Sequence, residues 1–237
     1  MTEENRPVVG TPEQALAKLA EDYPRYRRIA TFAFKPKLKE AALSDIDYTL
    51  AQCKRAVEGS RKAHDESATT RWRKIAEFLE AQHYELRMWL FLNRNEMHAA
   101  WESLISGQTS AHWAARWLPE FEPAEHLNSH LADVERVIFP KQQFLSPSLI
   151  IDEGTVECSI CHSVGHVCDH IAGEIYNGEV AANIIHGIEG VREVSFVDEP
   201  ANKHARAFRY GNIDPLTGED VGASPREADG NSNEVTN

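Results

Sequence analysis

A chain of 237 residues with 42% hydrophobic content is long enough for one large domain or two small ones, and apolar enough to bury a core. Its formal net charge of −12 argues against non-specific nucleic-acid binding, which relies on cations meeting phosphate, and against an anionic membrane surface. The longest aromatic-aliphatic run, Met88 to Leu92, is far shorter than a membrane span, and the acidic opening Met1-Thr2-Glu3-Glu4-Asn5 lacks the basic-then-apolar pattern of a signal peptide.

The first half reads as helices. Thr11-Pro12-Glu13-Gln14 is a helix start, with Thr as cap, Pro in the first turn and Gln three residues after the cap. That helix is expected to run to Asp22 and to be broken by Pro24. Tyr23 to Lys39 then interleaves Arg25, Arg27, Arg28, Lys35, Lys37 and Lys39 with Tyr26, Phe32 and Phe34. This basic, aromatic segment 23–39 is the one candidate contact for RNA or single-stranded DNA. Its plainer reading is an irregular stretch whose aromatics pack on the helices.

A second helix is expected from Ser44, with Ile46, Leu50, Cys53 and Val57 on one face. Cys53 is then a buried small hydrophobe. A lone thiol of this kind suits a reducing, cytoplasmic setting. A third helix spans Thr70 to Arg94 with Trp72, Ile75, Leu79, Leu86 and Trp89 as its stripe, and a fourth runs from Met97 to Gly107. Two shorter ones follow. One holds Trp113 and Trp117, most simply helix-packing groups that could also anchor a partner; the other holds Leu127, Leu131, Val134 and Ile138 and stops before Pro140. Helices with such short links pack as an antiparallel bundle or a solenoid-like array.

After Pro147 the period changes. Ser148 to Ile151 and Thr155 to Glu157 read as strands, Asn177-Gly178 is a hairpin turn, and Val194 and Phe196 mark a last strand closed by Pro200. From Asn212 the chain carries Asp214, Glu219, Asp220, Glu227, Asp229 and Glu234 against Arg226, and is expected to be disordered. The fold class is therefore α+β: a helical domain over 1–145, a small β-rich zinc-binding module over 146–210, and an acidic tail over 211–237.

The chemistry concentrates in Cys-Ser-Ile-Cys-His-Ser-Val-Gly-His-Val-Cys-Asp-His. Cys158 and Cys161 form a Cys-x-x-Cys knuckle, and Cys168 with His170 supply a Cys-x-His pair after six intervening residues. Three thiolates and an imidazole in two tight pairs suit a tetrahedral zinc ion. His162 and His166 lie in the same loop and compete with His170 as fourth ligand. Four protein donors close the coordination sphere, so the site reads as structural rather than catalytic, and the deaminase pattern of His-x-Glu before Pro-Cys-x-x-Cys is missing. Between Lys141 and Pro200, ten acidic residues stand against Lys141 and Arg192. A protein surface therefore suits this module better than a phosphate backbone.

Two resemblances attach to these residues. The Cys-Ser-Ile-Cys…Cys-Asp-His-Ile-Ala segment resembles the SWIM-type zinc module in its Cys-x-His pair, departing from it at the first pair, which is Cys-x-Cys in that family. The stretch from Cys158 to Phe208 resembles small zinc-bearing domains of phage-type proteins, and Glu193-Val194-Ser195-Phe196-Val197-Asp198-Glu199-Pro200-Ala201-Asn202 is similar to a strand of phage prohead proteases. The likeness implies a β-rich zinc module and a phage or anti-phage setting. It carries over no active site, because no segment matches that family's catalytic serine.

The remaining candidates have plainer readings. His126 and His130 share a helix face near Glu125, and Glu80 and His83 make one Glu-x-x-His where a di-iron bundle needs two. Ser195 and His186 echo a protease pair with no orienting acid or oxyanion hole. The sequence thus points to a non-enzymatic adaptor or subunit with a protein partner, with a prohead-protease relative and a nucleic-acid binder as alternatives.

Overall fold

The computed structural model describes residues 10–165, 168–207 and 212–221. Five helices, α1 (Pro12–Phe32), α2 (Pro36–Lys62), α3 (Glu66–Asn93), α4 (Met97–Trp117) and α5 (Glu122–Ile138), precede six strands. These are β1 (Phe144–Ile151), β2 (Val156–Cys158), β3 (Ile175–Tyr176), β4 (Glu179–Val180), β5 (Asn183–Ile185) and β6 (Ile188–Val197). The architecture is α+β, with three two-stranded antiparallel sheets ordered β1-β6, β2-β5 and β3-β4. No described helix is long and apolar enough to cross a membrane.

Helix α3 sits at the centre and packs against the other four helices. Trp72, Ile75, Phe78, Leu79, Leu86 and Met88 are buried along it. Short links at 33–35, 63–65, 94–96 and 118–121 keep consecutive helices adjacent. The ends of α2 and α3 are closed alike. His64 and Asn95 take positive φ (56° and 60°). The next amides reach back, Asp65 N to Ser60 O at 3.0 Å and Glu96 N to Phe91 O at 2.9 Å, which is the Schellman arrangement.

Four helix expectations are corrected. Pro24 does not break α1, which runs on to Phe32. Leu19 and Tyr23 before the proline and Ala30 after it are all buried in the core, and that burial outweighs the lost backbone bond. The Thr11 cap does form, with Thr11 Oγ1 accepting from Gln14 N and Gln14 Oε1 accepting from Thr11 N. Helix α2 starts at Pro36, with Ser44 inside it. Helix α3 begins at Glu66, where Asp65 caps Ala68 N at 2.9 Å. Gly107 does not end α4: it lets α4 approach its neighbours, since a Cβ there would lie 3.2 Å from Tyr84 Cβ and 3.4 Å from Leu131 Cδ1. The stretch with Trp113 and Trp117 is therefore the end of α4 rather than a separate helix.

The β half is tied into the helical core. Trp101, in α4, packs against Phe139 and against Phe144, the first residue of β1, at ring-centroid distances of 5.5 and 6.2 Å. The stretch 212–221 is also folded, contrary to the expectation of disorder there. Leu216 is buried in the helical core, Asp214 Oδ1 caps the turn by accepting from Leu216 N at 2.8 Å, and Asp214 Oδ2 meets His98 Nε2 at 2.7 Å. A single apolar side chain and a turn-capping carboxylate anchor a segment whose composition is otherwise that of a solvated tail. The remainder of the acidic tail lies outside the described residues.

Candidate metal centre

Strand β2 ends on Cys158, and the chain turns back at once. Cys158 N donates to Ser163 O, His162 N to Cys158 O and Gly165 N to Val156 O, each at 2.9 Å. His162 and Gly165 take positive φ of 59° and 78° to close this turn. Ser159 fixes it to the segment after β4: Ser159 N donates to Ala182 O at 2.9 Å, and Ser159 Oγ accepts from Ala182 N at 2.8 Å. The knuckle therefore rests on a small antiparallel framework, with Cys158 paired to Asn183 of β5.

The second pair approaches from the loop before β3. The ligand atoms of Cys158, Cys161, Cys168 and His170 all lie within 4.8 Å of one another, a group able to hold one metal ion. A regular tetrahedron with metal–sulfur distances of about 2.3 Å has edges of about 3.8 Å, so a small contraction brings the four donors to bonding distance. Cys158 is buried and Cys161 exposed. Ile160 N donates to Cys158 Sγ at 3.4 Å, the kind of bond that stabilises a thiolate. The ring of His170 is held edge-to-face against Tyr176 at 4.5 Å and 87°, while Tyr176 Oη accepts from Ile171 N at 3.0 Å. His170 Nδ1 is buried and has no hydrogen-bond partner. A buried imidazole nitrogen without a hydrogen-bond partner, on a residue grouped with three thiols, fits the chemistry of a metal ligand.

The thiols are electrostatically distinct. Ser163 Oγ lies 3.3 Å from Cys161 Sγ, and hydrogen bonding from Ser163 brings that thiol down to about 6. The His170 backbone amide works to lower Cys168, but burial and the neighbouring thiols Cys161 and Cys158 prevail and push it up. Just outside, Glu157 is held below the usual carboxylate range by His162 and then His186: Oε1 meets His162 Nδ1 at 2.5 Å and Oε2 meets His186 Nε2 at 2.6 Å. His162 is thus engaged elsewhere than with the thiols, and His166 lies outside the described residues.

The module docks on the helices through two glycines. Gly173 (φ +87°) lies against Trp113, and its carbonyl accepts from Trp117 Nε1 at 3.0 Å. Trp113 and Trp117 stack at 5.3 Å and 22° to make that platform. Asn177 and Gly178 form the expected hairpin turn between β3 and β4, both at positive φ (47° and 78°), and Gly178 lies against Thr69 of α3 and Val57 of α2. The ion pairs Arg61–Glu179 at 2.8 Å and Arg116–Glu174 at 2.7 Å flank these contacts. Sequence reasoning missed Gly173 and Tyr176 as supports of the site. Their only local signals were a glycine and an aromatic beside an Asn-Gly turn.

The histidine, glutamate and serine candidates take their plainer readings. His126 pairs with Glu122 at 3.3 Å and His130 with Glu85 at 3.1 Å, so each faces its own carboxylate. Glu80 pairs with Lys54 at 2.7 Å and His83 with Asp47 at 2.6 Å. Ser195 pairs across the β1–β6 ribbon with Ser146, while His186 is held by Glu157. Cys53 is fully buried, and burial pushes its thiol up to about 12. The basic segment is helical rather than irregular, with 23–32 in α1 and 36–39 in α2. Lys39 is buried beside Trp89 and Arg25 lies over Tyr26, but Phe32 and Phe34 are exposed rather than packed on the helices. Compared with known proteins, the chain matches no family model, no curated protein and no solved structure, so the SWIM-type and phage-type resemblances find no counterpart there.

Proposed function

We propose that Cys158, Cys161, Cys168 and His170 hold a structural zinc ion, and that the chain acts as a non-enzymatic adaptor or subunit binding a protein partner. The convergence of the four donors supports this reading. Thiolates and imidazole suit zinc rather than the hard cations calcium and magnesium, which take oxygen ligands. Four protein ligands leave no coordination position for a water or a substrate, so the ion's contribution is to order the loops between β2 and β3.

The partner surface is the β1–β6 ribbon. Its register stands Leu145 opposite Phe196, Pro147 opposite Val194 and Leu149 opposite Val191. All six are exposed, and Phe196, Val194 and Val191 retain 66%, 57% and 56% of their accessible surface. A contiguous apolar stripe on an otherwise acidic module fits a protein surface and not a phosphate backbone.

The test is affinity isolation from the native host with the wild-type chain and with Phe196→Ser and Cys158→Ser variants. A protein retained by the wild type and released by both variants supports the adaptor reading. Hydrolytic activity of the purified chain, lost specifically in Ser195→Ala, contradicts it.

A further inference from the structure

Between residues 23–32 of α1 and His126 and His130 of α5 lies an open cleft of about 800 Å³. That is the size of a small-molecule site. Its walls are mostly hydrocarbon, contributed by Pro24, Thr31, the ring of Tyr23 and the ring of Phe32, which is 72% exposed. Arg27 and Arg28 also line it, and neither pairs with a carboxylate among the described residues. His126 and His130 also line it, each beside a carboxylate of its own.

Beneath the rim the structure is polar and buried. The His130–Glu85 pair has side chains only 14% and 3% exposed. Tyr23 Oη is buried without a hydrogen-bond partner, and burial, reinforced by Glu85 and opposed by Arg27, pushes its phenol up. Two guanidinium groups with no carboxylate partner among the described residues, over a polar base in a chain of net charge −12, form a local reversal of sign. Arginine forks grip multi-oxygen anions through paired N–H donors.

We propose that this cleft binds a small organic phosphate: a phosphomonoester carried on a flat aromatic body of about nucleotide size. Arg27 and Arg28 match the charge of about −1.5 to −2 that such a group carries near neutral pH. Phe32 and Pro24 offer the apolar surface against which a ring packs. The volume far exceeds what bare phosphate fills, so the body of the ligand contributes as much as its anion. A nucleic-acid strand fits less well. It needs a track of cations, and in this segment Lys39 is buried and Arg25 is occupied by Tyr26.

The experiment is calorimetric titration of the full chain with phenyl phosphate and with adenosine 5′-monophosphate, with inorganic phosphate and adenosine as the two halves of the probe. Arg28 and Phe32 are exposed, so Arg28→Ala and Phe32→Ala variants fold, which an unchanged melting temperature verifies. Saturable one-to-one binding of either phosphomonoester is expected. The separate halves bind at least about tenfold more weakly, and Arg28→Ala lowers affinity about tenfold or more. Three results overturn the proposal: no binding of either probe at millimolar concentration, affinity unchanged in both variants, or binding confined to a single-stranded oligonucleotide with a steep salt dependence.

Discussion

Gly173 lies so close under Trp113 that a Cβ at that position would sit 2.7 Å from Trp113 Cη2, and its φ of +87° is one that side-chain-bearing residues rarely adopt. The glycine therefore sets how the metal-bearing module meets α4. Gly173→Ala is expected to destabilise the protein by about 2–4 kcal/mol, combining the left-handed backbone penalty with overpacking. Trp113→Ala removes the clash, so the double variant is expected to lose less than the sum of the two single losses. A double-mutant cycle of thermal or urea unfolding measures this.

Metal removal is expected to expose three thiols and leave the helices standing. The five helices bury their core around α3, and none of the four donors lies in that core. After chelation, Cys158, Cys161 and Cys168 react rapidly with a thiol reagent, while Cys53 stays slow because it is buried and its thiol is pushed up to about 12. Far-UV circular dichroism keeps its helical signal. A stopped-flow thiol count with and without chelator checks both halves of the expectation.

Asp214 gives the folded tail segment a pH dependence. Burial works against its charge, but the backbone amides of Leu216 and Thr217, together with His98, hold its carboxyl below the ordinary aspartate value. A depressed folded-state pKa means stability that is present above the unfolded value near 3.9 and lost as pH falls through the folded one. Asp214→Asn is therefore expected to lower the melting temperature at pH 7, with the gap to wild type narrowing below pH 4. Melting curves of the two proteins from pH 7 to pH 3 check the sign.

How much of this was readable beforehand follows from the range of each interaction. The Thr11 cap, the stripes of α3 and α5 and the Asn177-Gly178 turn are local, and residues within a few positions of one another announced them. Pro24, Ser44 and Gly107 carry the local signals of helix ends. Tertiary burial of Tyr23, Ala30 and Ile46 and the close approach of α4 to Tyr84 and Leu131 overrode those signals. The metal donors were legible because both pairs are short-range motifs. The supports were not, since Trp117 reaches Gly173 across 56 positions and Gly178 meets Val57 and Thr69 of distant helices. Trp113 and Trp117 are packing groups, as their helical spacing suggests, but what they pack against is the metal-bearing module.

Pro24 makes a separate expectation. It occupies the interior of α1, where it supplies no amide to the helix. Pro24→Ala restores that donor and is expected to raise stability by about 1–3 kcal/mol. Urea unfolding of the variant measures it, and an unchanged or lowered midpoint shows that α1 has already relaxed around the ring.

The most direct measurement is the metal content of protein purified without chelators under reducing conditions, by elemental mass spectrometry, on wild type and on Cys158→Ser, Cys161→Ser and His170→Ala variants. One zinc ion per chain in the wild type, falling well below one in each variant, is the expected result. Wild-type protein with no stoichiometric metal, or variants that keep a full equivalent, contradicts the assignment of these four side chains as one coordination site.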